Sequence, residues 1–183
     1  MNKKNSIIVF VLATMLISCS TNMSTINNIN NKQFKHLKKE TPKTYYIYYK
    51  KFVKNYRNII LNDILEEKQY KQLYITEIIN QMDLTKYYGY ILADNIVAYS
   101  FNVDLMNNVF CCNKISLTEF NKNNIYNVFF NDKNFSILRN MLNHSSIVYD
   151  AEYIFLIKIE FNNKINIETI SFYDFSEHKI IYE

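Results

Sequence analysis

The sequence predicts an α+β domain in which helices pack over one face of an antiparallel sheet. One long segment repeats apolar residues at spacings of three and four, and two pairs of alternating segments flank short turns rich in Asn or Asp. Glycine and proline occur once each. Asn and Asp must therefore make most turns, because they enter left-handed backbone conformations more readily than other residues with a Cβ atom.

The segment from Thr44 to about Glu67 is predicted to be an amphipathic helix. Its apolar stripe consists of Tyr45, Tyr49, Phe52, Val53, Tyr56, Ile60 and Ile64. The opposite, polar side is assigned to Lys50, Lys51, Lys54, Arg57 and Asn58. We expect the stripe to cover a sheet, and an aromatic ligand cleft is the alternative. Residues 72–79 fit a strand or a helix, and we assign them to a strand.

A first hairpin is predicted around Asp94-Asn95 as a two-residue turn. This register places three apolar pairs on the core side, namely Leu92 with Val97, Tyr90 with Tyr99 and Tyr88 with Phe101. It also places Gly89, the only glycine, opposite Ser100. The missing side chain would then leave room for a close approach, for which a packed helix is the expected candidate.

The C-terminal hairpin is predicted from the register of its two strands. A two-residue turn at Asn162-Asn163 mismatches both faces, because it sets Ile159 against Asn166 and Ile157 against Glu168. An odd loop from Asn162 to Lys164 instead pairs Phe161 with Ile165, Ile159 with Ile167, Tyr153 with Tyr173, and Lys158 with Glu168. Between the hairpins, Ser116-Leu117-Thr118-Glu119 has the spacing of a capping box. A second helical stripe follows at Phe135, Leu138, Met141 and Leu142.

The N-terminal nineteen residues have the plan of a secretory signal peptide. Lys3 and Lys4 precede an apolar run from Ile7 to Ile17, which is too short to span a bilayer. Leu16-Ile17-Ser18-Cys19 resembles the lipobox of bacterial lipoproteins. The resemblance implies cleavage between Ser18 and Cys19 and lipidation of the Cys19 thiol with fatty acyl chains such as palmitate. A signal peptide with a coincidental cysteine is the alternative.

This resemblance implies a protein anchored by lipid to the cell membrane or the outer membrane, facing the periplasm or the cell surface. No aspartate follows Cys19 closely, which resembles the lipoproteins that Gram-negative bacteria sort to the outer membrane. Residues 19–43 are polar and end near Pro42, so we expect a lipidated N-terminus and a flexible tether. Within this segment, a basic cluster consists of Lys35, His36, Lys38 and Lys39. We expect it to be part of a solvated linker, and contact with anionic lipid is the alternative.

The mature chain is long enough for one domain, which we place at residues 44–183. Loss of residues 1–18 removes two lysines and no acid, which lowers the formal net charge from +4 to +2. This balance does not indicate nucleic-acid binding, and export removes the chain from cytoplasmic nucleic acid. The abundance of tyrosine is explained by AT-rich codons more simply than by a tyrosine-rich binding surface.

Catalytic candidates are few. Cys111 and Cys112 are adjacent, and a disulfide between neighbouring residues is strained. We therefore expect two free thiols, one buried and one half-exposed. A redox pair or an intermolecular bridge is the alternative. His144-Ser145-Ser146 and Asp150 contain the residue types of a hydrolytic triad, yet a cap and loop explains them more simply. His36, His144 and His178 lack metal-site spacing, and one glycine permits no glycine-rich phosphate loop.

The sequence therefore predicts a lipid-anchored envelope domain that acts by binding a protein partner, as an accessory, inhibitor or immunity-type protein, with no catalytic residue, cofactor or metal assigned. The first alternative is an envelope hydrolase or thiol enzyme that uses His144 or Cys111, which requires a cleft with an acid and a base beside it. The second is a cell-wall or glycan binder, which requires several exposed, coplanar aromatic side chains.

Overall fold

The computed structural model describes residues 23–39, 41–80, 83–123, 153–162 and 164–173. It confirms the α+β class. Six antiparallel strands form one sheet, which we number β1 (Gln72–Ile79), β2 (Lys86–Ala93), β3 (Val97–Asp104), β4 (Val109–Ile115), β5 (Tyr153–Phe161) and β6 (Ile165–Tyr173). Their order across the sheet is β4-β3-β2-β1-β5-β6, so β4 and β6 are the outer strands.

Two helical segments pack on one face of the sheet, here called the helix face. The first, α1, covers residues 23–39. The second begins at Lys43 and runs as α2 (Lys43–Phe52), a π-helical turn (Val53–Arg57) and α3 (Asn58–Glu67). A short helix, α4 (Leu117–Asn123), places the buried Phe120 on the other face, here called the second face, edge-on to Tyr90.

The prediction of a flexible tether for residues 19–43 is wrong for residues 23–39. This segment is helical, and Ile26, Ile29 and Leu37 are fully buried in the main core. Their spacing of three and eight, with buried Gln33 between them, is the stripe of an amphipathic helix. The polar, repetitive composition concealed this stripe, because three apolar residues suffice when the rest of the helix face contacts polar partners.

The amphipathic helix and the strand at 72–79 are confirmed, but the placement of Arg57 on the polar side is wrong. Arg57 is fully buried in the main core, whereas Tyr56 is only partly buried. The π-helical turn explains the difference, because its wider turn brings residue 57 rather than 56 toward the sheet.

The first hairpin exists, but its predicted register is wrong by one residue. Asp94 and Asn95 both have left-handed backbone conformations, Ile96 belongs to the turn, and pairing starts at Ala93 with Val97. Gly89 consequently lies opposite Phe101 and not Ser100. A Cβ atom on Gly89 would lie 2.0 Å from the Thr76 carbonyl oxygen and 2.6 Å from the Phe101 ring. Neighbouring strands, not a helix, occupy the space.

The C-terminal hairpin has the predicted odd loop and all four predicted pairs. The predicted helix start is also confirmed, since the backbone N–H of Glu119 donates to Ser116 Oγ at 3.1 Å. The stripe at Phe135, Leu138, Met141 and Leu142 lies outside the described residues.

Candidate functional sites

The main core contains a cluster of polar side chains, which we call the polar core cluster. It consists of Asn30 and Gln33 from α1, Tyr49 and Arg57 from the second helix, Glu77 from β1 and Tyr87 from β2. Arg57, Glu77, Tyr49 and Tyr87 are fully buried. The helices and the sheet are therefore joined by hydrogen bonds as well as by apolar packing.

The centre of this cluster is an ion pair between Arg57 and Glu77. Arg57 Nη1 lies 3.0 Å from Glu77 Oε2, and both side chains have no exposed surface. Arg57 Nη2 donates to Asn30 Oδ1 at 2.6 Å. Burial, the largest single influence, lowers the pKa of Arg57, but the combined interactions with Glu77, Tyr49 and Tyr87 outweigh it and the pKa is raised overall.

Two tyrosine hydroxyls complete the coordination of the carboxylate. Tyr49 donates to Glu77 Oε2 and Tyr87 donates to Oε1. Burial, together with the negative charge of Glu77, raises the pKa of both phenols well above the usual value, so they act as donors. Tyr49 in turn accepts from Gln33 Nε2 at 2.6 Å, which extends the network to α1.

The polar core cluster is a structural element and not an accessible binding site, because its central groups have no solvent contact. Removal of two charges from water is costly, and the cost is offset only where the charges are paired and hydrogen-bonded. Arg57, Tyr49 and Tyr87 all donate to the Glu77 carboxylate, whereas Arg57 Nε and Gln33 Oε1 have no hydrogen-bond partner among the described residues. Sequence reasoning missed the cluster. The available signal was Glu77, an acid that points to the core side of a strand otherwise rich in apolar residues.

The most exposed element of the sheet is the outer strand β4. Val109 and Phe110 have exposed fractions of 43% and 42%, and Cys112, Asn113 and Lys114 are also exposed. No other described strand pairs with the outer edge of β4. Such an edge presents unpaired backbone groups, which another chain can use by adding a strand.

A pocket of about 390 Å³ lies beside β4 on the second face, and we call it the tyrosine pocket. It is lined by Lys86, Tyr88, Gly89, Tyr90, Ser100, Phe101, Asn102 and Cys111. Cross-strand pairing explains its shape. Tyr88 on β2 is level with the shorter Asn102 on β3, which is level with Cys111 on β4. The large rings of β2 therefore form a wall, and the small side chains of β3 and β4 form a floor that opens toward the sheet edge.

The two adjacent cysteines point to opposite faces of β4, as alternation along a strand requires. Both thiols are free, as expected, but the prediction that one of them is buried is wrong. Cys111 is half-buried and lines the tyrosine pocket, and Cys112 is exposed on the helix face, because β4 is an outer strand. Partial burial raises the pKa of Cys112 to about 11, and nearby Asp63 and Cys111 contribute to the rise. A thiol with this pKa is protonated at neutral pH and is a poor nucleophile.

The remaining sequence-predicted residues fall largely outside the described part of the chain. Ser18, Cys19, His144, Ser145, Ser146, Asp150 and His178 all lie there. His36 is described, and its Nε2 lies 3.2 Å from the carbonyl oxygen of Thr169 on β6. Within the described ranges, no three His, Cys, Asp or Glu residues are grouped to hold a metal ion. None of the described helices has the length and apolar character needed to cross a bilayer.

Comparison of the chain with protein-family models, with curated proteins and with solved structures found no match.

Proposed function

We propose that this chain is a lipoprotein of the bacterial envelope, anchored through Cys19, whose folded domain binds a protein partner and carries out no chemistry. The anchor is supported by the signal plan and by the lipobox-like residues Leu16 to Cys19. Several acyl chains on one cysteine give stable attachment, because each buried methylene contributes about 0.8 kcal/mol and a single chain is marginal.

The observation that carries the binding proposal is the combination of an exposed edge strand with a pocket beside it. An extended segment of a partner would add to β4 through backbone hydrogen bonds. One of its side chains would lie on the second face next to Cys111 and enter the tyrosine pocket. The tyrosine rings suit an apolar or aromatic side chain, and Ser100 and Asn102 offer hydrogen bonds to a polar tip.

The enzyme alternatives receive less support from the described residues. The thiol alternative uses Cys111, and no His, Asp or Glu lines the tyrosine pocket beside it. The neighbouring Cys112 has a raised pKa, which disfavours a thiolate there, and His144 lies outside the described residues. The glycan alternative needs exposed aromatic rings in one plane. Every tyrosine whose side chain is described is buried or only partly exposed.

The anchor is tested by replacement of Cys19 with serine and by metabolic labelling with a radioactive fatty acid. We expect the wild-type chain to be labelled and to fractionate with membranes. The Cys19→Ser variant should lose the label and leave the membrane fraction. Equal labelling of the two proteins would refute lipidation at Cys19.

Partner binding is tested with a photo-crosslinking amino acid at Asn113, an exposed position on β4. Two further variants compare neighbouring residues on opposite faces of the strand. Cys111→Phe fills the tyrosine pocket and should abolish the adduct. Cys112→Phe removes a thiol and adds the same ring, but it points to the helix face and should preserve the adduct. An adduct that survives Cys111→Phe, or that both variants abolish equally, would contradict this mode of binding.

A further inference from the structure

The distance between the proposed anchor and the folded domain is short. Helix α1 begins by Met23, and only residues 20–22 separate it from Cys19. Fully extended, that connection spans at most about 14 Å. The part of the domain around the start of α1 must therefore lie close to the bilayer when Cys19 is lipidated.

The contacts of α1 identify which end of the sheet this is. Lys32 donates to the carbonyl oxygen of Ile165, at the start of β6, and His36 contacts Thr169 further along. Helix α1 thus runs in the same direction as β6. Met23, nine residues before Lys32, lies at the end of the sheet that carries the β5–β6 loop.

The β2–β3 turn is at the same end, and we call this the turn end. The Asp94 N–H donates to the Gln72 carbonyl oxygen at 3.0 Å, and the Phe161 N–H donates to the Lys71 carbonyl oxygen at 2.8 Å. Both turns therefore flank the start of β1. The Asp94 carboxylate accepts from the backbone N–H groups of Lys71 and Gln72 at 2.9 and 2.8 Å, which holds the β2–β3 turn in position.

The exposed residues of the turn end suit an anionic membrane surface. Ile96, at the tip of the β2–β3 turn, has an exposed fraction of 64%. Lys71 and Lys164 are exposed and line one broad depression together with Phe161 and Asn162. The nearby acids are already engaged, since Asp94 binds backbone N–H groups and Glu160 pairs with Lys158 at 2.7 Å. Two lysines beside an exposed apolar tip match a phosphate headgroup above a hydrocarbon boundary.

We propose that the turn end of the sheet is a membrane-contact surface, in which Lys71 and Lys164 bind anionic phospholipid headgroups and Ile96 inserts at the interface. This inference rests on the proposed lipid anchor and adds an orientation to it. It also replaces the lipid contact considered for Lys35, His36, Lys38 and Lys39. Lys39 lies about 24 Å along α1 from Met23, further than the connection to Cys19 extends.

Because the chain contains no tryptophan, the fluorescence of a single introduced tryptophan reports on one position only. The full, lipidated chain carrying Ile96→Trp is reconstituted into vesicles of phosphatidylcholine and phosphatidylglycerol, some with brominated acyl chains. Met106→Trp is the matched control, since Met106 is 78% exposed and lies in the β3–β4 turn at the opposite end of β3. We expect bromolipids to reduce the tryptophan emission of the Ile96→Trp chain at least about twofold, because interfacial side chains lie close to the acyl boundary. The emission of the Met106→Trp chain should be unchanged.

A pair of charge reversals, each added to the Ile96→Trp chain, tests the lysines. Lys71→Glu with Lys164→Glu should weaken the quenching, whereas Lys38→Glu with Lys39→Glu changes the net charge equally and should not. The orientation would be overturned if Lys38→Glu with Lys39→Glu removed the quenching and Lys71→Glu with Lys164→Glu did not. That result would mean that the exposed side of α1, and not the turn end, faces the membrane.

Two further outcomes would also overturn the orientation. One is quenching of the Met106→Trp chain, and the other is the absence of quenching in both tryptophan variants while they remain bound to the membrane. The orientation and the anchor fail separately, since fatty-acid labelling at Cys19 reports the anchor alone.

Discussion

The strongest test of the fold is the replacement of Glu77 by glutamine. The change removes one charge and little volume, and it leaves the Arg57 guanidinium buried without its counterion. Arg57 and Glu77 lie 3.0 Å apart with no exposed surface on either side chain. Loss of one partner of such a pair costs about 3–5 kcal/mol. A domain stability of about 5–15 kcal/mol would be reduced by a large fraction.

The assay is urea denaturation of the unlipidated chain, followed by circular dichroism. Glu67→Gln is a matched control, because Glu67 pairs with Lys114 at 2.9 Å on the surface, where both side chains are about half exposed. Solvent screens that pair, so its loss should have a much smaller effect. If Glu77→Gln shifts the urea midpoint no more than Glu67→Gln does, the argument for a buried charge pair is wrong.

A double-mutant cycle separates the ion pair from local packing. Arg57→Met should be as damaging as Glu77→Gln, because each single variant leaves one polar group of the pair uncompensated. The double variant removes both charges and should cost less than the two single changes added together, with a coupling of about 0.5–3 kcal/mol. Strict additivity would show that Arg57 and Glu77 do not stabilise the fold as a pair.

Three further predictions test the sheet and the thiols. Gly89→Ala should destabilise the domain by about 1–3 kcal/mol or more in the same urea assay, because the added Cβ meets the rigid backbone of β1 at 2.0 Å; an unchanged midpoint would contradict this packing. The register of the C-terminal hairpin is tested by paired cysteines in a chain whose Cys111 and Cys112 are replaced by serine. Ile159→Cys with Ile167→Cys should form a disulfide on oxidation, and Ile159→Cys with Asn166→Cys should not, because only residues 159 and 167 lie directly opposite each other on β5 and β6. The reverse result would mean that the register is shifted by one residue. In the unreduced wild-type protein, mass spectrometry should find Cys111 and Cys112 as free thiols, and alkylation of Cys112 should accelerate as the pH rises toward its pKa of about 11; a mutual disulfide would revive a redox role.

The C-terminal hairpin shows what local sequence decides. Its two strands alternate strongly enough that only one register matches Ile159 with Ile167 and Lys158 with Glu168. The β2–β3 hairpin lacks this contrast. Apolar and tyrosine side chains occur on both faces of β2, so a register shifted by one residue also pairs apolar groups. The turn conformation at Asp94 and Asn95 decided between the two registers.

The sequence by itself determined the fold class and the long helix, and it carries the lipobox-like motif, because each depends on spacing or on residues adjacent in the chain. Only the tertiary structure decided the rest. Arg57 is buried because Glu77, twenty residues later, neutralises it in the core. Helix α1 packs because its few apolar residues meet a core built by distant strands, and short helices depend on such packing for stability. The tyrosine pocket likewise needs three strands side by side, and no local pattern encodes contacts between segments that meet only when the sheet forms.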